Sequence, residues 1–384
     1  MVTREKVGIV GAGLAGAACA RALSRAGYAV TLFEAADRPA TGASGNPIGI
    51  LHPLISRDHN LASQWVQAGM ATTLRWLREL DMVAQAHGNA PTGRSCGVLQ
   101  LTADGTELVS WAPEGAWINP VRFVQACLID AQAHGAVLVY HAKVLAVTVQ
   151  GEISIQNQDG RLDTQNFDAV VICTAADMQR LLPDAQLMLN SIRGTVSSYA
   201  LSAEKSLPCV ICASGYATPA IDGQMLVGAS YERIAENPAD QSDAFGLPDM
   251  QHSTEHQGVE DTDALSNLDR LAIISKSLAD HCASLVPAER TSLRSASLDR
   301  MPHVGRVLDW SRPLIASMSQ IHQMPRCDRL WLLGALGSRG LSSAALGAEV
   351  ITAQILGAPA PVAPRLLAAV DPTRFALRRH QRRK

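Results

Sequence analysis

No uninterrupted apolar run in this chain approaches the roughly 20 residues that a membrane-spanning helix needs, and no convincing leader segment is present. A membrane span is therefore not expected, and the cytoplasm is the expected compartment. A metal-binding pattern is also lacking. The eight cysteines are scattered and mostly lie in apolar segments, as reduced, buried thiols do. Cys209-Val-Ile-Cys212 is a CxxC in a strand-like run, but no second CxxC and no closely spaced histidine pair accompanies it. Core packing, and no metal, is the expectation. A marked excess of charge of either sign is missing as well, because the formal net charge is −2. That balance excludes no partner, since the charge is uneven. No acid follows Asp371, while Arg374, Arg378, Arg379, Arg382, Arg383 and Lys384 gather in the last eleven residues. Such a tail binds phosphate backbones without sequence specificity, or simply stays solvated.

What is present is an ordinary globular composition, 47% apolar and 18% charged, over 384 residues. That length exceeds what one core usually supports, so two domains are expected. The organising stretch is Val7 to Glu34. An apolar run, Val7-Gly8-Ile9-Val10, enters Gly11-x-Gly13-x-x-Gly16; a helical Ala/Leu pattern reaches Ala26, and Gly27 ends it. A second apolar run from Ala29 to Phe33 stops at Glu34. Strand, glycine turn, helix, strand and acid in that order form a dinucleotide-binding βαβ unit. Gly11 permits the tight turn, Gly13 the approach of a pyrophosphate, and Gly16 close packing of helix on sheet. The helix N-terminus faces the phosphates and Glu34 a ribose. The three glycines and the second strand argue against a signal-peptide core ending near Ala17-Ala18-Cys19-Ala20. The motif leaves NAD and FAD equally open.

A loop of small and polar residues follows from Arg38 to Gly49, and loops of this length are usually functional. Leu61 to Leu80 has helical spacing, with Trp65 and Trp76 expected in the core. Gly97 to Thr102 reads as a strand, and Asn119-Pro120 opens a helix as cap and first-turn proline. Val137 to His141 and Phe167 to Cys173 read as strands, the second leaving through Thr174-Ala175-Ala176. From about Asn190 strands run without helices: Ile192 to Leu201, Cys209 to Ile221 and Gln224 to Tyr231, the last two joined by an Asp222-Gly223 hairpin turn. Antiparallel strands inside an α/β chain suggest a second domain. Residues 234–263 are polar and acidic, an expected exposed loop, and one helix is expected from Ala264 to Ser284. The stretch from Leu293 to Gly305 is polar and then turns. Leu330 to Ala335 is a buried strand that leads to Gly337-Ser338-Arg339-Gly340-Leu341 and a helix from Ser342 to Leu356, a second strand–glycine turn–helix unit.

Glycine turns at both ends, the loop after Glu34 and the antiparallel insert resemble the D-amino-acid oxidase and glycine oxidase class of FAD enzymes. The segments Thr41-Gly-Ala-Ser-Gly-Asn-Pro-Ile-Gly-Ile-Leu-His-Pro53, Arg193-Gly-Thr-Val196, Gly228-Ala-Ser-Tyr231 and Ala335-Leu-Gly-Ser-Arg-Gly-Leu341 are similar, within that class, to the FAD-dependent oxidoreductase domain of the MnmC family. Those bifunctional enzymes mature the wobble uridine of certain tRNAs. The likeness runs from residue 6 to Asp371-Pro372, and it implies the oxidoreductase standing alone, without the methyltransferase domain. It further implies a Rossmann-type α/β fold with an inserted antiparallel-sheet substrate domain. The FAD-binding part would comprise residues 1–85, 119–190 and 301–384, and the substrate part 86–118 and 191–300.

The implied reaction oxidises 5-carboxymethylaminomethyl(-2-thio)uridine in tRNA to the 5-aminomethyl form and glyoxylate. The alternative is a small-molecule glycine, sarcosine or D-amino-acid oxidase of the same fold. The resemblance places the ADP half of FAD on Gly11, Gly13, Gly16 and Glu34, its pyrophosphate or ribityl chain near Ser44 and Gly45, adenine near Val144, and phosphates near Thr174 and Ala175. Gly337, Ser338, Arg339, Gly340 and Leu341 would face the flavin. Arg294 is the expected carboxylate anchor, Arg339 the second candidate. Tyr216 and Tyr231 would close over the substrate. His52 is open to two readings: a residue lining the site or, more often for a lone histidine before Pro53, a structural one. Where relatives carry a second arginine this chain has Leu298. In this light the basic tail is expected to touch tRNA, the acidic loop to point away, and a separate methyltransferase to be a partner.

Overall fold

The computed structural model describes residues 5–234 and 266–382. Its first sheet has six strands in the spatial order His303–Leu308, Arg326–Gly334, Ala169–Ile172, Lys6–Val10, Ala29–Phe33 and Val137–Val139. All neighbours run parallel except the first pair. Parallel strands are covered on both faces and so read as continuous apolar runs; all four residues of Ala169–Ile172 are buried. One face carries the helices Leu14–Arg25, Pro120–Ala133, Gly340–Leu356 and Leu61–Ala86, whose core includes Leu23, Trp65, Trp76, Phe123 and Ile351. Asn119 caps its helix by accepting from the Arg122 amide at 3.0 Å. The other face is covered by a small antiparallel sheet, Lys143–Val147, Glu152–Gln156 and Leu162–Asn166, through Val144, Ile153, Ile155 and Phe167.

A second, eight-stranded sheet draws its strands from Val98–Leu101, Leu108–Ala112, Leu189–Ala200, Val210–Cys212, Tyr216–Ala217, Gln224–Gly228, Glu232–Ile234 and Ala288–Ser297. Asp222 and Gly223, at φ of +52° and +76°, make the expected hairpin turn, closed by the Ile221–Gln224 bridge.

Several expectations need correction. The stretch Ala264 to Ser284 is two helices in its described part, Asn267–Ile274 and Lys276–Cys282. Ser275 between them is extended, and its hydroxyl caps the second helix, a competing local bond that serines favour over mid-helix positions. The polar segment around Arg294 is the strand Ala288–Ser297, paired along its whole length with Leu189–Ala200. Cys209 to Ile221 is broken into two short strands at Ser214-Gly215, where Ala213 N donates to Gly215 O at 2.7 Å. The last long helix begins at Gly340, after a single turn over Gly337–Arg339. The acidic segment lies outside the described residues apart from Ile234. Among the described residues no helix is long and apolar enough to cross a membrane.

Candidate active site

Strand order reverses on either side of Lys6–Val10, and the crevice beyond the carboxyl ends of such strands is where α/β sheets bind ligands. A cavity of about 740 Å³ opens there and extends to the second sheet. It belongs to the upper part of the range for ligand sites.

The opening motif is tightly built. Gly11 has φ of +98°, and a methyl group on Gly16 would lie 1.8 Å from the Gly11 carbonyl. Gly16 thus packs helix on strand and does not line the cavity, whereas Gly11 and Gly13 do. Ser44 Oγ accepts from the Leu14 amide at 3.0 Å, capping from a distant loop a helix whose own N-cap, Gly13, has no side chain to do so. Glu34 lines the cavity with its oxygens accepting from Ala12 N (2.7 Å) and Ala36 N (2.9 Å). Each oxygen keeps acceptor capacity for a diol.

Gly45 does not line the cavity. A methyl group there would meet Ala40 O at 2.4 Å and Arg290 Nη2 at 2.5 Å. Arg290 grips this loop, donating to Asn46 Oδ1 (2.7 Å), Gly42 O (2.6 Å) and Thr41 O (3.2 Å). On the adenosine side, Arg180 donates to the Val144 and Leu145 carbonyls, both at 2.9 Å, and pairs with Asp177 at 2.7 Å. Val144, Thr174 and Ala175 line the wall it supports. Thr174 Oγ1, Ser214 Oγ and Ser295 Oγ are buried without a hydrogen-bond partner among the described residues, and all three residues line the cavity. Buried hydroxyls left unpaired are costly. Here they offer bonds to a long polar ligand, which is the fit an FAD molecule requires.

At the other end Gly337, Ser338, Arg339, Gly340 and Leu341 line the cavity together with Arg294, Tyr216, Tyr231 and His52. Leu336 bridges to Ala296, tying the glycine turn to the strand that carries Arg294, and Arg294 Nη1 donates to Ser338 Oγ at 3.2 Å. Thr73 Oγ1 donates to Leu341 O at 2.7 Å, fixing the start of the last long helix. Burial pushes the Tyr216 phenol up, against the pull of the Arg294 charge, so it stays a protonated donor. Burial, and then the Arg339 charge, push His52 down to about 4. His52 is therefore a neutral imidazole that lines the site, the first of its two readings.

One member of the C-terminal cluster, Arg374, departs from expectation. Arg374 is 3% exposed and donates to Asp299, His303 and the Met301 carbonyl. Arg378 also pairs with Asp299, at 3.0 Å. Arg374 is thus structural and out of reach of any partner; Arg383 and Lys384 lie outside the described residues. All eight cysteines are free, and no group of three or more His, Cys, Asp or Glu among the described residues could hold a metal. Sequence reasoning missed Arg290, Arg300, Ser214 and Ser295. For Arg290 the signal was its spacing of four from Arg294, the same face of a strand.

The family model described as DAO, FAD dependent oxidoreductase, matches residues 6–112 and 107–354. The bifunctional tRNA 5-methylaminomethyl-2-thiouridine biosynthesis protein MnmC of Pseudomonas entomophila is 32% identical over 97% of this chain and 60% of its own length. The protein of that name from Pseudomonas putida KT2440 is 31% identical with the same coverage. The chain thus spans about 60% of the length of these relatives. Glycine oxidase from Geobacillus kaustophilus superposes with a TM-score of 0.68 at 17% identity, covering 96% of this chain and 99% of that one, a likeness of fold.

Proposed function

The chain belongs to the DAO family of FAD-dependent oxidoreductases, and from that premise we propose that it oxidises the carboxymethylaminomethyl side chain of the tRNA wobble uridine. The observation that carries this reading is the similarity, over 97% of this chain and 60% of theirs, to relatives named for that biosynthesis. The arginine-lined end of the cavity agrees with it. FAD, when bound, supplies the two-electron oxidant for the C–N bond. The secondary amine loses two hydrogens, water adds to the resulting C=N bond, and the old N–CH₂ bond breaks to give glyoxylate and the 5-aminomethyl group.

The chain's own residues hold and prepare the substrate. Arg294 spends one bond on Ser338 and keeps donors for the two oxygens of a carboxylate, the geometry a guanidinium matches best. Oxidation needs the amine unprotonated. The burial and Arg339 charge that push His52 down to about 4 act in the same direction on an ammonium placed beside it, favouring its neutral form. Protonated Tyr216 can donate to the bound acid without adding charge. The half-exposed Arg378 and Arg379 and the exposed Arg382 on the C-terminal helix supply positive surface for tRNA. A tRNA substrate places the work in the cytoplasm, and the product amine is the acceptor that a separate methyltransferase would use.

The test is to incubate the FAD-loaded protein with tRNA carrying the carboxymethylaminomethyl group and to analyse nucleosides. An aminomethyl nucleoside with matching glyoxylate is expected. No such product, together with turnover of free glycine or sarcosine, would replace this reading with a small-molecule oxidase on the same fold.

A further inference from the structure

The turn after Ala288–Ser297 uses an unusual number of bonds to hold one acid. Asp299 accepts from Ser297 Oγ (2.9 Å), Met301 N (3.2 Å), Arg374 Nη2 (2.8 Å), Arg374 Nε (2.9 Å) and Arg378 Nη1 (3.0 Å). Its capacity is consumed, and it cannot neutralise a neighbouring cation. That neighbour is Arg300, which is exposed, lines the cavity and has φ of +58°. A left-handed backbone is unfavourable for an arginine, so the turn holds it there against local preference.

The guanidinium of Arg300 makes no hydrogen bond or ion pair among the described residues, in contrast to its neighbours. Arg180 is committed to Asp177 and two carbonyls, and Arg294 to Ser338. Lys143, also on the lining, is exposed at the start of an ordinary strand with nothing comparable built around it. Arg374 and Arg378, which hold Asp299, belong to the basic C-terminal helix, so that helix is fastened to the very turn that presents Arg300.

We propose that Arg300 binds a backbone phosphate of the RNA substrate at the mouth of the cavity, with the C-terminal helix as the adjoining positive surface; this rests on the tRNA reading above. A single exposed cation gains little from one carboxylate in water, whereas contact with a polyanion releases condensed counterions. The interior, Ser338-linked Arg294 is the better placed group for the substrate carboxylate. The cofactor pyrophosphate is the other source of phosphate that Arg300 could meet.

Both sources are separated by one set of variants. Arg300→Asn removes the charge with a residue that tolerates left-handed backbone, Arg300→Lys keeps the charge, and Arg161→Gln removes an exposed charge from a distant hairpin. Affinity for substrate tRNA is measured from 50 to 300 mM KCl, and affinity of the apoprotein for FAD by flavin fluorescence. For Arg300→Asn the slope of log K against log salt is expected to lose about 0.7–0.9, one phosphate contact. Affinity at low salt falls roughly 3–10-fold, with FAD binding unchanged; Arg300→Lys and Arg161→Gln keep the wild-type slope. An unaltered slope in Arg300→Asn overturns the proposal. So does a tenfold loss of FAD affinity at unaltered slope, which would assign Arg300 to the cofactor. Wild-type protein that binds no tRNA refutes the functional reading itself, and this inference with it.

Discussion

At the scale of single residues, the site depends on atoms with no room to move. A methyl group on Gly16 would sit 1.8 Å from the backbone oxygen of Gly11, and neither partner is the end of a flexible side chain. Gly16→Ala must therefore push the helix off the strand and spoil the cofactor turn. We expect apoprotein that does not take up FAD in a fluorescence titration; wild-type uptake would contradict this packing account. Asp299 gives a second prediction. Burial raises its pKa, but the hydrogen bonds and charge of Arg374, with Arg378 and Ser297, outweigh that and hold it near 2. The unfolded value is about 3.9, so its contribution to stability is complete above roughly pH 4 and is lost as pH falls through 2. Asp299→Asn leaves Arg374 buried without a counter-charge, at a cost of about 3–5 kcal/mol, and should flatten the acid limb of a urea-midpoint profile below pH 4. His303 acts with the same sign at higher pH. Burial and then Arg374 hold it neutral, while the unfolded chain takes up a proton below about pH 6.5.

At the scale of elements, the decisive one is the strand Ala288–Ser297. It belongs to the second sheet by pairing with Leu189–Ala200, yet it bridges to Leu336 and sends Arg290 to the loop that carries Ser44. That loop has no regular structure beyond the turn Ala43–Gly45, so the Arg290 bonds fix a geometry the loop cannot fix alone. Arg290→Met is expected to weaken FAD binding by roughly tenfold or more, the size of one or two charge-assisted bonds, while the apoprotein melts where the wild type does. An equal fall in the melting temperature of the apoprotein with FAD affinity unchanged would show a role in folding alone. The opening βαβ unit was legible in the sequence because all its determinants lie within one short segment. This strand was not. Its partner is nearly a hundred residues away, and its polar residues answer to the cavity rather than to a core, so neither alternation nor hydrophobicity marked it. The small sheet from Lys143 to Asn166 escaped for a related reason: its outer strand Leu162–Asn166 is almost wholly exposed. In the site, Arg294 was legible through family resemblance and the Gly337–Leu341 turn through its strand–glycine turn–helix pattern as well, whereas Arg300 acts through contacts that no local pattern encodes and Arg290 was marked only by its spacing from Arg294 on a strand that was itself not legible.

At the scale of the whole molecule, the cavity is the seam between the two sheets. Its walls include Gly11 and Thr174 from the parallel side and Ser214, Tyr216 and Arg294 from the antiparallel side. The two sides are tied by the Ala296–Leu336 bridge, the Arg290 grip, the Arg294–Ser338 bond and the Arg122–Asp222 ion pair, among other contacts. Buried hydroxyls on both sides, Thr174 on one and Ser214 and Ser295 on the other, have no partner among the described residues. A ligand that satisfies hydroxyls on both sides at once couples their unfolding, and one that binds only the folded state stabilises it by mass action, about 2.7 kcal/mol at a hundredfold excess over its dissociation constant. We therefore expect the apoprotein to melt broadly, with the second sheet opening first, and the FAD-loaded protein to melt in one sharper transition at higher temperature. Hydrogen exchange localises the effect. Added FAD should slow exchange in residues 11–16 and 41–46 and also in residues 213–216, on the far side of the seam. Protection confined to the parallel-sheet side, with the second sheet exchanging as fast as before, would mean that the cofactor is held by the first half alone and that the antiparallel wall serves only the substrate.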